Sequence, residues 1–189
     1  MDIEKPDRTI NMVDIADEAQ AIDVMVHIAG TVDDSIVDGP GIRFTIFTQG
    51  CKRKCPGCHN PQSHDFSAGA NVTIEQLWQR ITANPLLSGI TLSGGEPFEQ
   101  AAALIELVQR TRDAGLSVWA YSGYFYEELV KGIPCQKAAR LLELCDVLVD
   151  GAYIQELRSL ELKWRGSTNQ RVIDVAASRE SCSVVELAR

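Results

Sequence analysis

The sequence lacks several features that would place it in a broad class of protein. It contains no apolar run that approaches the roughly 20 residues needed to span a bilayer. Basic residues are in deficit, since 18 Lys and Arg stand against 26 Asp and Glu for a net charge of −8. Such a charge disfavours nonspecific binding to polyanions. We therefore expect neither nucleic acid nor a membrane among its partners.

The start of the chain lacks the basic and then apolar regions of a secretory signal peptide. We therefore expect a cytoplasmic protein, whose six cysteines are kept reduced. In that compartment, clustered cysteines usually bind metal or take part in chemistry instead of forming disulfides. The 189 residues are enough for one domain with a substantial core, and they are a short length for two domains.

Three of the cysteines lie within eight residues, in the run Cys51-Lys-Arg-Lys-Cys55-Pro-Gly-Cys58-His. Iron–sulfur clusters are usually held by four thiolates, one for each iron. A triad would leave one iron of a four-iron cluster open to a reactive ligand. The alternative is a zinc site with His59 as the fourth ligand. Because Cys58 and His59 are adjacent, tetrahedral closure is awkward, and the spacing favours the cluster.

The other three cysteines are isolated in the sequence, and we expect buried apolar thiols at Cys135, Cys145 and Cys182. Five stretches have the composition or alternation of strands: 42–48, 89–93, 116–121, 146–150 and 171–175. Helical signals lie between them, at 73–81, 99–114 and 138–144. Alternating strands and helices predict βαβ units and a parallel sheet.

Polar loops follow four of the predicted strands. They are the cysteine loop, Ser93-Gly-Gly-Glu-Pro97, Tyr121-Ser-Gly-Tyr124 and Asp150-Gly151. In parallel sheets, functional groups gather at the carboxyl ends of the strands. Gly94 and Gly95 would let the backbone approach a ligand closely. Glu96 adds an acceptor for a cation or a hydroxyl group.

The C-x3-C-x2-C loop and the downstream Gly-Gly-Glu turn resemble those of radical S-adenosylmethionine (SAM) enzymes. The segments 37–43, 49–51 and 58–61 are similar to those of glycyl-radical-enzyme activating proteins. The runs 147–151 and 164–171 most resemble the activating proteins of anaerobic (class III) ribonucleoside-triphosphate reductases. The resemblance covers about residues 30–175.

This resemblance implies an α/β fold, an incomplete (β/α) barrel of radical SAM type whose parallel sheet is open on one side. The radical SAM domain would comprise residues 21–175. An acidic extension at residues 1–20 would precede the domain, and a C-terminal tail at residues 176–189 would follow it.

The resemblance also implies the site. Cys51, Cys55 and Cys58 would hold one 4Fe-4S cluster, whose fourth iron binds SAM. The turn Ser93, Gly94, Gly95 and Glu96 would bind the cofactor and position its methionyl amino group. Backbone of Gly57, Cys58 and His59 would contact the adenine. Ser122 and Asp150 are candidates for the methionyl carboxylate, the ribose or a cation.

The implied function is activation of the anaerobic ribonucleotide reductase, a large glycyl radical enzyme. Reductive cleavage of SAM would give a radical that takes hydrogen from a glycine of that partner. A flavodoxin or ferredoxin-like protein would supply the electron, with Lys52, Arg53 and Lys54 either steering it or simply solvated. The same chemistry on another enzyme, such as pyruvate formate-lyase, is one alternative. A non-catalytic zinc-binding interaction module is the other.

Overall fold

The computed structural model describes residues 24–187, so the predicted extension at residues 1–20 lies outside the described residues. Seven strands form one sheet: β1 (Met25–Ser35), β2 (Arg43–Thr48), β3 (Ala70–Thr73), β4 (Gly89–Gly94), β5 (Ser117–Ser122), β6 (Val147–Asp150) and β7 (Arg171–Asp174). The helices are α1 (Ile74–Ala83), α2 (Ala101–Asp113), α3 (Tyr126–Val130), α4 (Ala138–Glu143) and α5 (Val175–Ser181). Among the described residues, no helix is both long enough and apolar enough to cross a bilayer.

The sheet is mixed, with the order β3-β1-β2-β4-β5-β6-β7. Its four central strands, β2, β4, β5 and β6, are parallel to one another as predicted. The prediction of a parallel sheet is wrong at both edges, where β1 and β7 run antiparallel to their neighbours. A parallel pair needs a crossover that usually contains a helix. The connections 36–42 and 151–170 contain no α-helix. Each reverses the chain at one edge of the sheet, so the next strand runs antiparallel to the one before. The closure of this sheet toward an incomplete barrel stays a prediction.

The two faces of the sheet bury different side chains, as the period of two along a strand requires. On β5, Val118 and Ala120 join the main core, which also contains Leu104 and Leu107 of α2. Trp119 lies in a smaller cluster on the other face, with Tyr121 packed against it. The helices therefore cover one face, and part of the other face is covered by the loop that follows β6.

Local signals explain where several helices begin. Thr73 and Gln76 form a capping box at the start of α1, with hydrogen bonds of 3.0 and 3.1 Å. Helix α2 begins later than predicted because Pro97–Gln100 first form a 3-10 turn. Asp174 caps α5, which was not predicted. The boundary proposed between residues 175 and 176 falls within α5, and the division into segments stays a prediction.

Candidate metal centre

The carboxyl ends of the four parallel strands meet at one edge of the sheet. Thr48 at the end of β2 lies opposite Gly94, and Ser122 lies opposite Asp150. A cavity of about 420 Å³ opens at this edge. Most of the predicted site residues line it: Cys51, Cys55, Cys58, His59, Ser93, Gly94, Gly95, Glu96 and Ser122. The fold thus gathers residues that are separated by up to about 70 positions in the sequence.

The cysteine loop begins directly after β2 and is fixed by backbone hydrogen bonds. Cys51 N donates to the carbonyl of His64 over 3.2 Å, and Cys58 N donates to the carbonyl of Cys55 over 3.2 Å. Lys54 and Gly57 have positive φ angles of 47° and 72°, which turn the chain twice within the loop. These turns bring all three thiols to the cavity wall, where each is free.

A cluster and a single metal ion make different demands on the three thiols. Within residues 24–187, no three His, Cys, Asp or Glu side chains converge closely enough to hold one ion. A structural zinc site needs four donors about 2.0–2.3 Å from the metal. A four-iron cluster takes one thiolate for each iron, so its ligands stand apart. Burial raises the pKa of the Cys51 thiol, and a bound cation would favour its thiolate form.

The two glycines of the Gly-Gly-Glu turn serve packing within the protein. A Cβ atom on Gly94 would lie 2.6 Å from the backbone of Phe47, and one on Gly95 would lie 2.5 Å from the carbonyl oxygen of Gly50. Gly95 N also donates to the Thr48 carbonyl over 2.7 Å. The turn is therefore packed directly against the start of the cysteine loop. A larger side chain at either glycine would displace the loop that carries the thiols.

Glu96 presents a buried carboxylate at the wall of this cavity, with only 1% of the residue exposed. Its oxygens accept hydrogen bonds from Gly123 N at 2.8 Å, Ser122 Oγ at 3.0 Å and Phe98 N at 3.2 Å. All three donors are neutral. Burial raises the pKa of Glu96 to about 7, although these hydrogen bonds act in the opposite direction. The site therefore suits a cationic ligand group.

Two predicted site residues do not line the cavity: Gly57 and Asp150. Asp150 is fully buried, and its carboxylate accepts hydrogen bonds from Arg171 Nε at 2.9 Å and Tyr126 N at 2.7 Å. Asp150 and then Glu127 raise the pKa of the Arg171 guanidinium. A Cβ on Gly57 would lie 2.2 Å from the side-chain oxygen of Gln155. Asp150 is thus paired within the protein, and the binding roles predicted for Gly57 and Asp150 stay predictions.

The cavity also has walls that the sequence did not assign to the site. Tyr121, which we would expect only to pack, lines it together with Tyr153 and Trp164. The ring of Tyr153 lies 4.9 Å from that of His59, centroid to centroid. Tyr153 lies three residues after the end of β6. This position after a parallel strand was the only sequence signal that could have assigned Tyr153 to the site. The aromatic side chains give the cavity a partly apolar wall.

The basic residues of the cysteine loop are largely paired. Lys52 Nζ lies 2.6 Å from Glu99, and Arg53 Nη2 lies 3.2 Å from Glu128. The Arg53 guanidinium also stacks 4.1 Å from the centre of the Tyr124 ring. Pairing reduces the net positive charge that this loop presents to a negatively charged partner. The steering of an electron donor stays a prediction.

The three isolated cysteines differ in their surroundings. Cys145 is buried as expected, and burial raises the pKa of its thiol to about 12. Cys135 is partly buried. The expectation is wrong for Cys182, which is exposed because it lies just past the end of α5 in a left-handed conformation. None of the three lines the cavity.

Comparison with known proteins identifies the family. Residues 37–173 match a family model described as a 4Fe-4S single cluster domain. The chain is 37% identical over 147 residues to the anaerobic ribonucleoside-triphosphate reductase-activating protein of Escherichia coli (strain K12), which covers 72% of this chain and 91% of that protein. The protein of the same name from Vibrio cholerae is 39% identical over 144 residues, covering 71% of this chain and 89% of that protein. Its counterpart from Enterobacteria phage T4 is 32% identical over 143 residues, covering 72% and 86%. This chain therefore belongs to the 4Fe-4S single cluster domain family that includes the anaerobic ribonucleoside-triphosphate reductase-activating proteins.

Proposed function

We propose that this chain is a radical SAM enzyme that activates an anaerobic ribonucleoside-triphosphate reductase by forming a glycyl radical in it. One observation carries the proposal: three free thiols and a buried carboxylate with only neutral partners line the same cavity. The names of the relatives supply the target, since each is called the activating protein of that reductase. The family model supplies the type of cluster.

Cys51, Cys55 and Cys58 would hold the 4Fe-4S cluster. Bound there and reduced, such a cluster would supply the one electron needed for reductive cleavage of SAM, and the hydrogen would come from the partner's glycine. The protein contributes binding, orientation and exclusion of water, while the cofactors carry the chemistry. A flavodoxin or ferredoxin-like protein would deliver the electron.

Glu96 would bind the methionyl ammonium group. A carboxylate that is buried without a cationic neighbour gains most from a ligand that carries positive charge, because the surroundings screen the attraction weakly. Ser122 and Gly123 hold the carboxylate in place through their hydrogen bonds, so it needs no reorganisation on binding. His59, whose ring packs against Tyr153, would present its backbone to the adenine.

The test is anaerobic reconstitution with iron and sulfide, followed by reduction with dithionite in the presence of SAM. We expect 5′-deoxyadenosine from the unchanged protein and none from Cys55→Ala. Cys182→Ala is the matched control, since that thiol is exposed and lies outside the cavity, and it should retain full turnover. Turnover retained in Cys55→Ala would contradict the cluster assignment.

The partner is tested in the same preparation. Addition of the anaerobic reductase should give a glycyl radical signal in electron paramagnetic resonance, whereas pyruvate formate-lyase should give none. A signal only with pyruvate formate-lyase would reassign the target. A colourless protein that binds zinc tightly and forms no deoxyadenosine would instead support the interaction module.

A further inference from the structure

One polar group in the wall of the cavity lacks a partner within the described part of the chain. The Nε–H of Arg53, a residue that lines the cavity, is buried, and within residues 24–187 it donates to no acceptor. A buried donor without an acceptor is costly, and such groups are rare in folded proteins. An acceptor that a ligand brings into the cavity would lower this cost.

The rest of the Arg53 guanidinium is held in place and keeps unused donors. It stacks 4.1 Å from the centre of the Tyr124 ring, and its Nη2 donates to Glu128 Oε2 over 3.2 Å. Glu128 is fixed in turn, because the same oxygen accepts a bond of 2.7 Å from Phe125 N. A guanidinium carries five N–H donors, of which the bond to Glu128 uses one. With 29% of the side chain still exposed, Arg53 can bind an anionic group without first becoming ordered.

Arg53 and Glu96 both lie against Gly123, the residue directly after β5. A Cβ atom on Gly123 would lie 2.9 Å from Arg53 Cγ and 3.5 Å from Glu96 Oε2. The guanidinium lies farther along its side chain and is paired with Glu128, whereas Glu96 accepts hydrogen bonds from neutral donors. The cavity wall therefore carries a carboxylate and a guanidinium that are close together but not paired with each other. Such an arrangement complements a ligand with an ammonium group and a carboxylate on the same carbon.

We propose that Arg53 binds the methionyl carboxylate of SAM, next to the amino group that Glu96 would bind. This inference rests on the proposed function and adds to it the residue that distinguishes an α-amino acid from a simple amine. Arginine and carboxylate form charge-assisted hydrogen bonds, which are stronger than bonds between neutral groups. A carboxylate has two oxygens, so one can accept from Arg53 when the other binds iron. The sequence suggested Ser122 and Asp150 for this carboxylate. The Ser122 hydroxyl already donates to Glu96, however, and Asp150 is itself an anion with its own cation.

Arg165 also lines the cavity but belongs to a different part of its wall. Its Nη1 donates to the carbonyl of Gln170 over 2.5 Å. A Cβ atom on the adjacent Gly166 would lie 3.2 Å from His59 Cε1, so this segment packs against the residue whose backbone is predicted to contact the adenine. Arg165 is therefore the matched control for Arg53, with the same type of side chain at the same cavity.

The test compares the binding of SAM with that of decarboxylated SAM, which keeps the amino group and the sulfonium but lacks the carboxylate. Equilibrium dialysis under anaerobic conditions would give both dissociation constants for each reconstituted protein, and iron analysis would give its cluster content. The variants are Arg53→Gln, Arg53→Lys, Arg165→Gln and Glu128→Gln. The last removes the carboxylate that holds Arg53 but leaves the guanidinium in place, so it separates the ion pair from the binding role.

We expect Arg53→Gln to bind SAM at least about tenfold more weakly than the unchanged protein, because it loses a charge-assisted hydrogen bond. It should bind decarboxylated SAM as the unchanged protein does. Arg53→Lys should lose less affinity for SAM, since it keeps the charge without the planar fork of donors. Glu128→Gln should bind SAM at least as tightly as the unchanged protein, and Arg165→Gln should keep the ratio of the two dissociation constants.

Three results would overturn the assignment. Equal losses of affinity for both compounds in Arg53→Gln would show that Arg53 only supports the loop. A loss in Glu128→Gln as large as that in Arg53→Gln would show that the ion pair is what matters. A change of the ratio in Arg165→Gln but not in Arg53→Gln would give the carboxylate to the other arginine.

Cluster content keeps the test decisive. If Arg53→Gln takes up no cluster, the ratio measured for Arg53→Lys decides, and failure of both variants to take up a cluster would overturn the binding role. Each of these outcomes leaves the proposed function in place as long as the unchanged protein forms deoxyadenosine. An unchanged, reconstituted protein that binds no SAM would overturn the proposed function and the role of Arg53 together.

Discussion

Two buried carboxylates stand at the same edge of the sheet and have different surroundings. Glu96 follows β4 and Asp150 ends β6, and both are almost inaccessible to solvent. Glu96 accepts hydrogen bonds from neutral donors only and lines the cavity. Asp150 is paired with Arg171 and accepts the backbone N–H at the start of α3. The first carboxylate has no cationic partner among its hydrogen-bond donors, while the second is neutralised within the protein.

The difference shows why position after a parallel strand does not by itself identify a binding residue. A buried charge is costly unless it is paired, and the pairing may come from the protein or from a ligand. Asp150 has its cation built into β7, which starts at Arg171. Glu96 has none among its recorded partners, and burial accordingly raises its pKa to about 7. The cation beside Asp150 gives that carboxylate a structural role, whereas the lack of one among the partners of Glu96 supports the binding role proposed for it.

The largest effect should come from removal of the cation beside Asp150. Arg171→Met leaves a fully buried carboxylate with one backbone donor. Breaking a buried ion pair in this way costs about 3–5 kcal/mol of the free energy of unfolding. We expect a loss of about 4 kcal/mol, since Asp150 is fully buried and the Arg171 side chain is only 25% exposed. Chemical denaturation would measure it.

The control for this substitution is Arg140→Met, which breaks an exposed pair with Glu143 and should cost less than about 1 kcal/mol. Adding Asp150→Asn to Arg171→Met should recover much of the lost stability, since it removes the unpaired charge. Equal stability of the Arg171→Met and Arg140→Met variants would show that Asp150 does not depend on its cation.

The next effect concerns Glu96 and the pH dependence of stability. Its pKa is about 7 in the folded protein against 4.5 for an unperturbed glutamate, so the folded state holds its proton more tightly. Stability should therefore fall as pH rises from about 4.5 to about 7 and then level off. Relative to Glu96→Gln, the loss should total between about 3 and 4 kcal/mol, because the shift spans about 2.5 pH units at about 1.4 kcal/mol for each unit.

Denaturation curves of the cluster-free protein and of Glu96→Gln, taken at intervals from pH 4.5 to 8.5, would give this difference. Asp65→Asn provides a control of opposite sign, because hydrogen bonds from Ser67 lower the pKa of the exposed Asp65 carboxyl. A difference between Glu96→Gln and the unchanged protein that is independent of pH would mean that Glu96 is not desolvated as described.

The same contrast explains what the sequence could predict. Periodicity and capping residues located the central strands and α1, because these signals are local. The sequence also predicts that the cysteine loop, the Gly-Gly-Glu turn and Ser122 lie at one edge of the sheet. The reason is that parallel strands bring their carboxyl ends together. The structure places the three cysteines, the Gly-Gly-Glu turn and Ser122 on one cavity. The binding roles assigned to them stay predictions.

Other features of the fold and the site could not be predicted, because they depend on contacts between residues that are distant in the sequence. Nothing in the run around Asp150 shows that Arg171 lies beside it, since the two are joined only by the antiparallel pairing of β6 and β7. That pairing was itself missed, because a strand preceded by a loop without an α-helix was assumed to continue the parallel pattern. The short elements β3, α3 and α5 were also missed, since four to seven residues carry too little periodicity to identify them.

The smallest effect tests whether the neutral donors around Glu96 tune its charge. Ser122→Ala removes the hydroxyl that donates to Glu96 over 3.0 Å and leaves the backbone donors in place. Because that hydroxyl favours the ionised form, its loss should move the pKa of Glu96 upward from about 7 and cost about 1 kcal/mol of stability above that pH. A carbon-13 titration of the Glu96 carboxyl would report the shift directly.

Ser67→Ala removes a similar hydroxyl from Asp65 and should leave the Glu96 titration unchanged. If Ser122→Ala also leaves it unchanged, then burial and the two backbone donors set the charge of Glu96, and the contrast with Asp150 reduces to the presence or absence of Arg171.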